Sequence, residues 1–147
     1  MRDSYAYQAE VEWSEGRSGW AVSEGLPPLA LTAPKEFSGE GGAWTPEHAL
    51  VAATAGCLMI TFSALAEMSG LAVLSLRVKA SGKLENVRGE GYRFTEIVLA
   101  PVIEVANTDL DKARRVLARA EKGCFLRNSL RAAVLIEPLF VDANMAA

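Results

Sequence analysis

Cysteine, histidine and clustered positive charge are what this sequence has least of. Two cysteines, Cys57 and Cys124, stand among 147 residues. They are too few for a disulfide scaffold, and a chain of this length buries a core without one. With one histidine and no short cysteine pair, nothing nucleates a zinc site. No run of lysine or arginine occurs and the formal net charge is −3, so there is no basic field to gather nucleic acid. The N-terminal "MRDSYAYQAEVEW" alternates polar and apolar residues and lacks the apolar core of an export signal. The longest apolar stretch, Leu50 to Ala66, is broken by small and polar residues and reads as too mixed for a membrane span. These absences lead to the expectation of a soluble cytoplasmic protein without membrane or nucleic-acid partners, in which any disulfide is transient.

What is present reads as one domain over residues 1–147, of class α+β. Residues 4–13 alternate as a strand, "SEGRSG" makes a hairpin tip carrying Arg17 between Gly16 and Gly19, and "WAVSE" returns. Leu26–Pro34 reads as a short third strand whose prolines suit an edge. A glycine-rich loop follows, the segment expected to be most mobile. Thr45 is placed to cap a long helix, with Pro46 at its first position and Glu47 at the positive dipole end. Gly70 stops it.

That helix is apolar nearly all round, so it should be buried on several sides, more than one small monomer can cover. The expectation is a dimer with the helix near the interface. Beyond it, Leu74, Leu76 and Val78 share one face of a strand. "YRFTEIVLAPVIEV" makes a partner strand bent or frayed near Pro101. Asn107 or Thr108 caps a second helix with Leu110, Ala113, Val116, Leu117 and Ala120 inward. Gly123 ends it, Cys124 follows, "FLRNSL" makes a turn or helical fragment, and "AAVLIEPLF" closes as a strand.

Taken alone, either cysteine is more often an inert small hydrophobe than a nucleophile. Cys57 lies mid-helix, where its own helix offers no free N–H, so a thiolate there must borrow positive charge from elsewhere in the fold. His48 has no evident partner and is given no role. Trp13, Trp20 and Trp44 read as packing and lining residues.

The helix "TPEHALVAATAGC" and the later "AEKGCFLRNSL", in this order and with no other cysteine, resemble the OsmC/Ohr family of small thiol-dependent peroxidases. The likeness runs over nearly the whole chain. It implies an OsmC-like fold and a peroxidase of organic hydroperoxides, with hydrogen peroxide a less selective substrate. Cys57 is then the attacking thiol and Cys124 the resolving thiol that closes a disulfide onto its sulfenic acid. Arg17 and Glu47 complete the implied site, the guanidinium steadying thiolate and peroxide and the carboxylate orienting the guanidinium. No cofactor or metal is implied, only an external dithiol reductant.

Glu47 and Cys57 are ten residues apart, roughly 15 Å along a straight helix, and cannot meet within one chain. Antiparallel crossing of two such helices would join them, which agrees with the intertwined homodimer and composite sites that the resemblance implies. Phe125 and Arg127 depart from the family pattern, which often has proline and serine there, while Asn128 keeps it. That departure supports the alternative of a non-catalytic redox-sensing or small-molecule-binding protein on the same fold.

Overall fold

The computed structural model describes residues 2–145, and the chain divides into two compact units, residues 1–50 and 51–147.

The first unit is an antiparallel sheet of β1 (Glu10–Glu15), β2 (Ser18–Val22) and β3 (Leu29–Thr32), in that order. Strand β1 is shorter than residues 4–13. Glu10 already pairs with Val22, the last residue of β2, so the alternating residues before it have no ladder to join. Gly19 is required by contact, since a Cβ there would stand 2.4 Å from the Glu12 carbonyl oxygen. Strand β3 is an edge strand, as its prolines suggested. Its Thr32 N–H donates to the Trp44 carbonyl at 2.9 Å, which blunts the edge. Among the described residues of this unit only Thr32 and Thr45 are buried.

Helix α1 (Pro46–Met68) starts and stops where the sequence says it should. The Thr45 hydroxyl accepts the His48 N–H at 3.0 Å, an N-cap bond. At the far end Gly70 sits at φ 68°. There the Leu71 N–H reaches the Ala66 carbonyl at 2.9 Å and the Gly70 N–H reaches Glu67 at 3.1 Å, a Schellman stop. By length and composition alone this helix is apolar enough to cross a membrane, more so than the interrupted sequence suggested. Thr54, Leu58, Phe62 and Ala66 are nevertheless buried as one stripe. Much of its remaining apolar surface, Met59, Ile60 and Met68 included, is exposed in the single chain, as expected of a helix that one small monomer cannot cover.

In the second unit β4 (Ser75–Val87) and β5 (Gly91–Val105) form a long antiparallel hairpin. Helix α2 (Leu110–Gly123) crosses over, α3 (Phe125–Ser129) is a single turn, and β6 (Ala133–Ile136) and β7 (Leu139–Asp142) both pair parallel with β5. The core joins Leu58, Phe62 and Ala66 of α1 with Ile97, Leu99, Ile103 and Val105 of β5 and Ala113, Val116, Leu117 and Ala120 of α2. That inward face of α2 is the one its periodicity predicted.

Four local readings need correction. Strand β5 runs unbroken through Pro101, opposite Val78. The Leu99 carbonyl accepts the Glu137 N–H, so by alternation the missing N–H of Pro101 faces the same side. There β6 has ended and β7 has not begun, and no ladder bond is lost. The closing strand is for the same reason two strands. Leu74 lies ahead of β4 and is exposed rather than sharing the face of Leu76 and Val78. Finally, Asn107–Asp109 form a 3-10 turn, and α2 begins at Leu110 without a side-chain cap.

Gly82 sits just before a bulge in β4, where an added Cβ would lie 2.7 Å from both Phe94 and Val51. Gly82→Ala is expected to lower unfolding free energy by about 1–3 kcal/mol through overpacking, read as a lower urea midpoint at unchanged slope.

Candidate active site

The second unit brings its two cysteines together. Cys57 stands on α1 beside the buried Leu58, and Cys124 follows the last residue of α2. Packing both helices on β5 therefore carries the two thiols to one place, where their side chains hydrogen bond. Both are free thiols, Cys57 half-buried and Cys124 fully buried.

Their environments push them apart. Burial raises the Cys57 thiol, but the Leu126 amide, the Cys124 thiol, the Phe125 amide and the Thr61 hydroxyl outweigh it, and the net shift is downward. For Cys124 burial again raises, the Arg127 amide opposes it, and the hydrogen bond and charge of Cys57 add to the rise. Cys57 is thus the thiol that ionises first, with Cys124 donating to it.

The source of this stabilisation differs from the sequence expectation. Cys57 was expected to borrow a positive charge, and the donors acting on it are neutral. The first amides of α3 have no partner within their own helix and are free to face the sulfur. Sequence reading saw that α1 offers Cys57 no free N–H and could not see that another helix would. Thr61 was missed as well, although its place one turn after Cys57 was a usable signal. Its methyl faces the last residue of α2, 3.7 Å from where a Gly123 Cβ would be.

Asn128 holds this turn in place, its Nδ2 donating to the Lys122 carbonyl at 3.0 Å. Arg127, the departure beside it, pairs with Glu121 at 3.3 Å, while its buried Nε has no hydrogen-bond partner. Phe125 is 77% exposed next to the buried Cys124.

Arg17 and Glu47 lie in the first unit and line one cavity of about 500 Å³, walled by Val11, Trp13, Leu31 and Phe37. Trp13 is a lining residue, as read. Among the described residues no ion pair joins Arg17 to Glu47. Arg17 instead donates from Nη1 to the Phe37 carbonyl at 2.9 Å. Glu47 is half-buried and its Oε2 has no hydrogen-bond partner, a state that calls for an acceptor-seeking donor to arrive. His48 does have a partner, its Nδ1 lying 2.7 Å from the Thr45 hydroxyl.

An α+β fold holding a polarised dithiol defines a class of redox-capable thiol proteins. The model of OsmC-like proteins matches residues 39–138, and the chain belongs to the OsmC-like family. It is 25% identical to the uncharacterised Bacillus subtilis protein YmaD over 142 residues, 93% of each chain. An OsmC-like protein of unknown function from Vibrio cholerae superposes with a TM-score of 0.84 at 22% identity, covering 92% of this chain and all of that one. An organic hydroperoxide resistance protein OsmC from Legionella pneumophila gives 0.75 at 24% identity, over 94% and 99%.

Cys57 is expected to be alkylated first by iodoacetamide. Because its thiolate is favoured in the folded state, its rate should inflect below the ordinary thiol pKa, and unfolding in urea should move the inflection up. Peptide mass mapping across pH 5–10 measures both effects.

Proposed function

We propose that this chain is a thiol-dependent peroxidase of organic hydroperoxides. The observation that carries the reading is the hydrogen-bonded pair of Cys57 and Cys124, polarised so that the more accessible sulfur is the better thiolate. The name of the Legionella pneumophila relative adds support.

In this reading the Cys57 thiolate attacks the outer oxygen of a hydroperoxide, the O–O bond breaks, and the alkoxide leaves as the alcohol after taking a proton. Cys57 becomes a sulfenic acid. The Cys124 sulfur then attacks it, an S–S bond forms and water departs. An external dithiol restores both thiols by exchange. Neither a metal nor a further cofactor takes part.

The carboxylate and guanidinium of this reaction come from the partner of a homodimer. Arg17 and Glu47 share a cavity with apolar walls that suit an alkyl or aryl tail. Support for pairing comes from the open apolar surface of α1, with Ile60 64% exposed, and of β1, with Trp13 76% exposed. Arriving substrate or a partner side chain would also give the lone Glu47 oxygen its missing donor.

One equivalent of cumene hydroperoxide should remove both thiols with a mass loss of about 2 Da as one disulfide forms, and Cys124→Ser should leave a trappable sulfenic acid at Cys57. Thiols that stay titratable in excess peroxide overturn the reading. A disulfide that forms without turnover in the presence of dithiothreitol favours redox sensing. Composite sites make a second demand: Glu47→Ala and Cys57→Ser chains, each inactive alone, should regain activity when mixed as heterodimers. Absence of complementation places each site within one chain.

A further inference from the structure

The proposed cycle needs a dithiol from outside, and α2 carries a feature the thiol chemistry does not use. Its inward residues are Ala113, Val116, Leu117 and Ala120. On the opposite side Lys112, Arg115, Arg119 and Lys122 follow one another at helical spacing, a basic stripe about 15 Å long. Arg115, Arg119 and Lys122 are exposed.

The acids of this helix do not neutralise the stripe. Asp111 is paired with Arg114 at 3.3 Å and Glu121 with Arg127 at 3.3 Å. Among the described residues none of the four stripe cations makes an ion pair. The chain as a whole is acidic, at −3, so this concentration of positive charge is local. It also ends beside the site: Lys122 is two residues before Cys124, and the exposed Phe125 follows at once.

We propose that the outer face of α2 is the docking surface for an acidic protein that carries the reducing dithiol. Opposite charge would steer the carrier onto the helix. The stripe ends two residues before Cys124, so a carrier seated on it brings its dithiol to the end of α2 where the protein disulfide lies. One carrier thiolate attacks that disulfide and forms a mixed disulfide, and the second closes the carrier's own S–S bond. Two electrons pass to Cys57 and Cys124, and the carrier's two protons end on the protein thiols. The stripe has no apolar side chains between its cations, which favours a folded acidic partner over a lipid surface.

This inference rests on the peroxidase reading, so the test separates the two. Turnover of cumene hydroperoxide is measured with dithiothreitol, with a synthetic dithiol peptide flanked by four glutamates, and with the same peptide flanked by glutamines. The glutamate peptide should give the highest kcat/KM, falling several-fold between 20 and 200 mM salt as screening sets in. The double variant R115E/R119E should lose about tenfold or more with that peptide alone, while dithiothreitol turnover and melting temperature stay as in the wild type.

Equal use of both peptides, or an unchanged double variant, overturns the docking face while leaving the peroxidase intact. Binding of the stripe to anionic phosphatidylserine vesicles without preference for the glutamate peptide also overturns it. No turnover even with dithiothreitol overturns both.

Discussion

The apolar interlock of α1 and α2 on the inner face of β5 is the constraint from which the thiol chemistry follows. Leu58, Phe62 and Ala66 from one helix and Ala113, Val116, Leu117 and Ala120 from the other share Ile97, Leu99, Ile103 and Val105. Each large side chain so buried is worth about 1.5–3 kcal/mol, so the helices have little freedom to slide. Cys57 is next to Leu58 and Cys124 lies one helical turn beyond Ala120. Their meeting is a product of core packing, enforced by many contacts that have no chemical role. Small residues matter as much as large ones here. The alanines of α2 let the helix approach closely enough for the turn at Cys124 to reach the other sulfur.

Local polarity then divides the work between two chemically identical groups. Burial alone would make both thiols inert. The free amides at the start of α3, with the Cys124 thiol and the Thr61 hydroxyl, reverse this for Cys57 without introducing a cation. The cation and carboxylate of the proposed reaction lie in the other unit, around a cavity in which Arg17 is held by a carbonyl and one Glu47 oxygen has no hydrogen-bond partner. In the proposed reaction a reciprocal pair of subunits would bring the two groups together.

The fold was legible where a local signal and its tertiary use coincide. Thr45, Pro46 and Gly70 mark both ends of α1 because cap and stop chemistry depend on neighbours in sequence. The inward face of α2 was equally clear from its period. Errors arose where the deciding partner is distant. Pro101 reads as a breaker until the gap between β6 and β7 is seen to spare its missing N–H. Residues before Glu10 alternate like a strand but find no ladder. At the site, the pairing of the cysteines came from a family likeness and not from spacing, and the neutral donors from α3 were invisible because they belong to the fold. Arg17 and Glu47 fall in one cavity, but the ion pair between them was expected and is not formed.

The joint at Cys124, which ends α2 and begins α3, also has a mechanical meaning. A covalent link from there to Cys57 would close a loop containing β4, β5 and α2, the greater part of the second unit. On the chain-entropy view such a closure removes about 4 kcal/mol worth of disorder from the unfolded ensemble. Oxidation would thus tighten the same scaffold that made it possible, and the redox history of the thiols would be written into how firmly the whole unit resists unfolding.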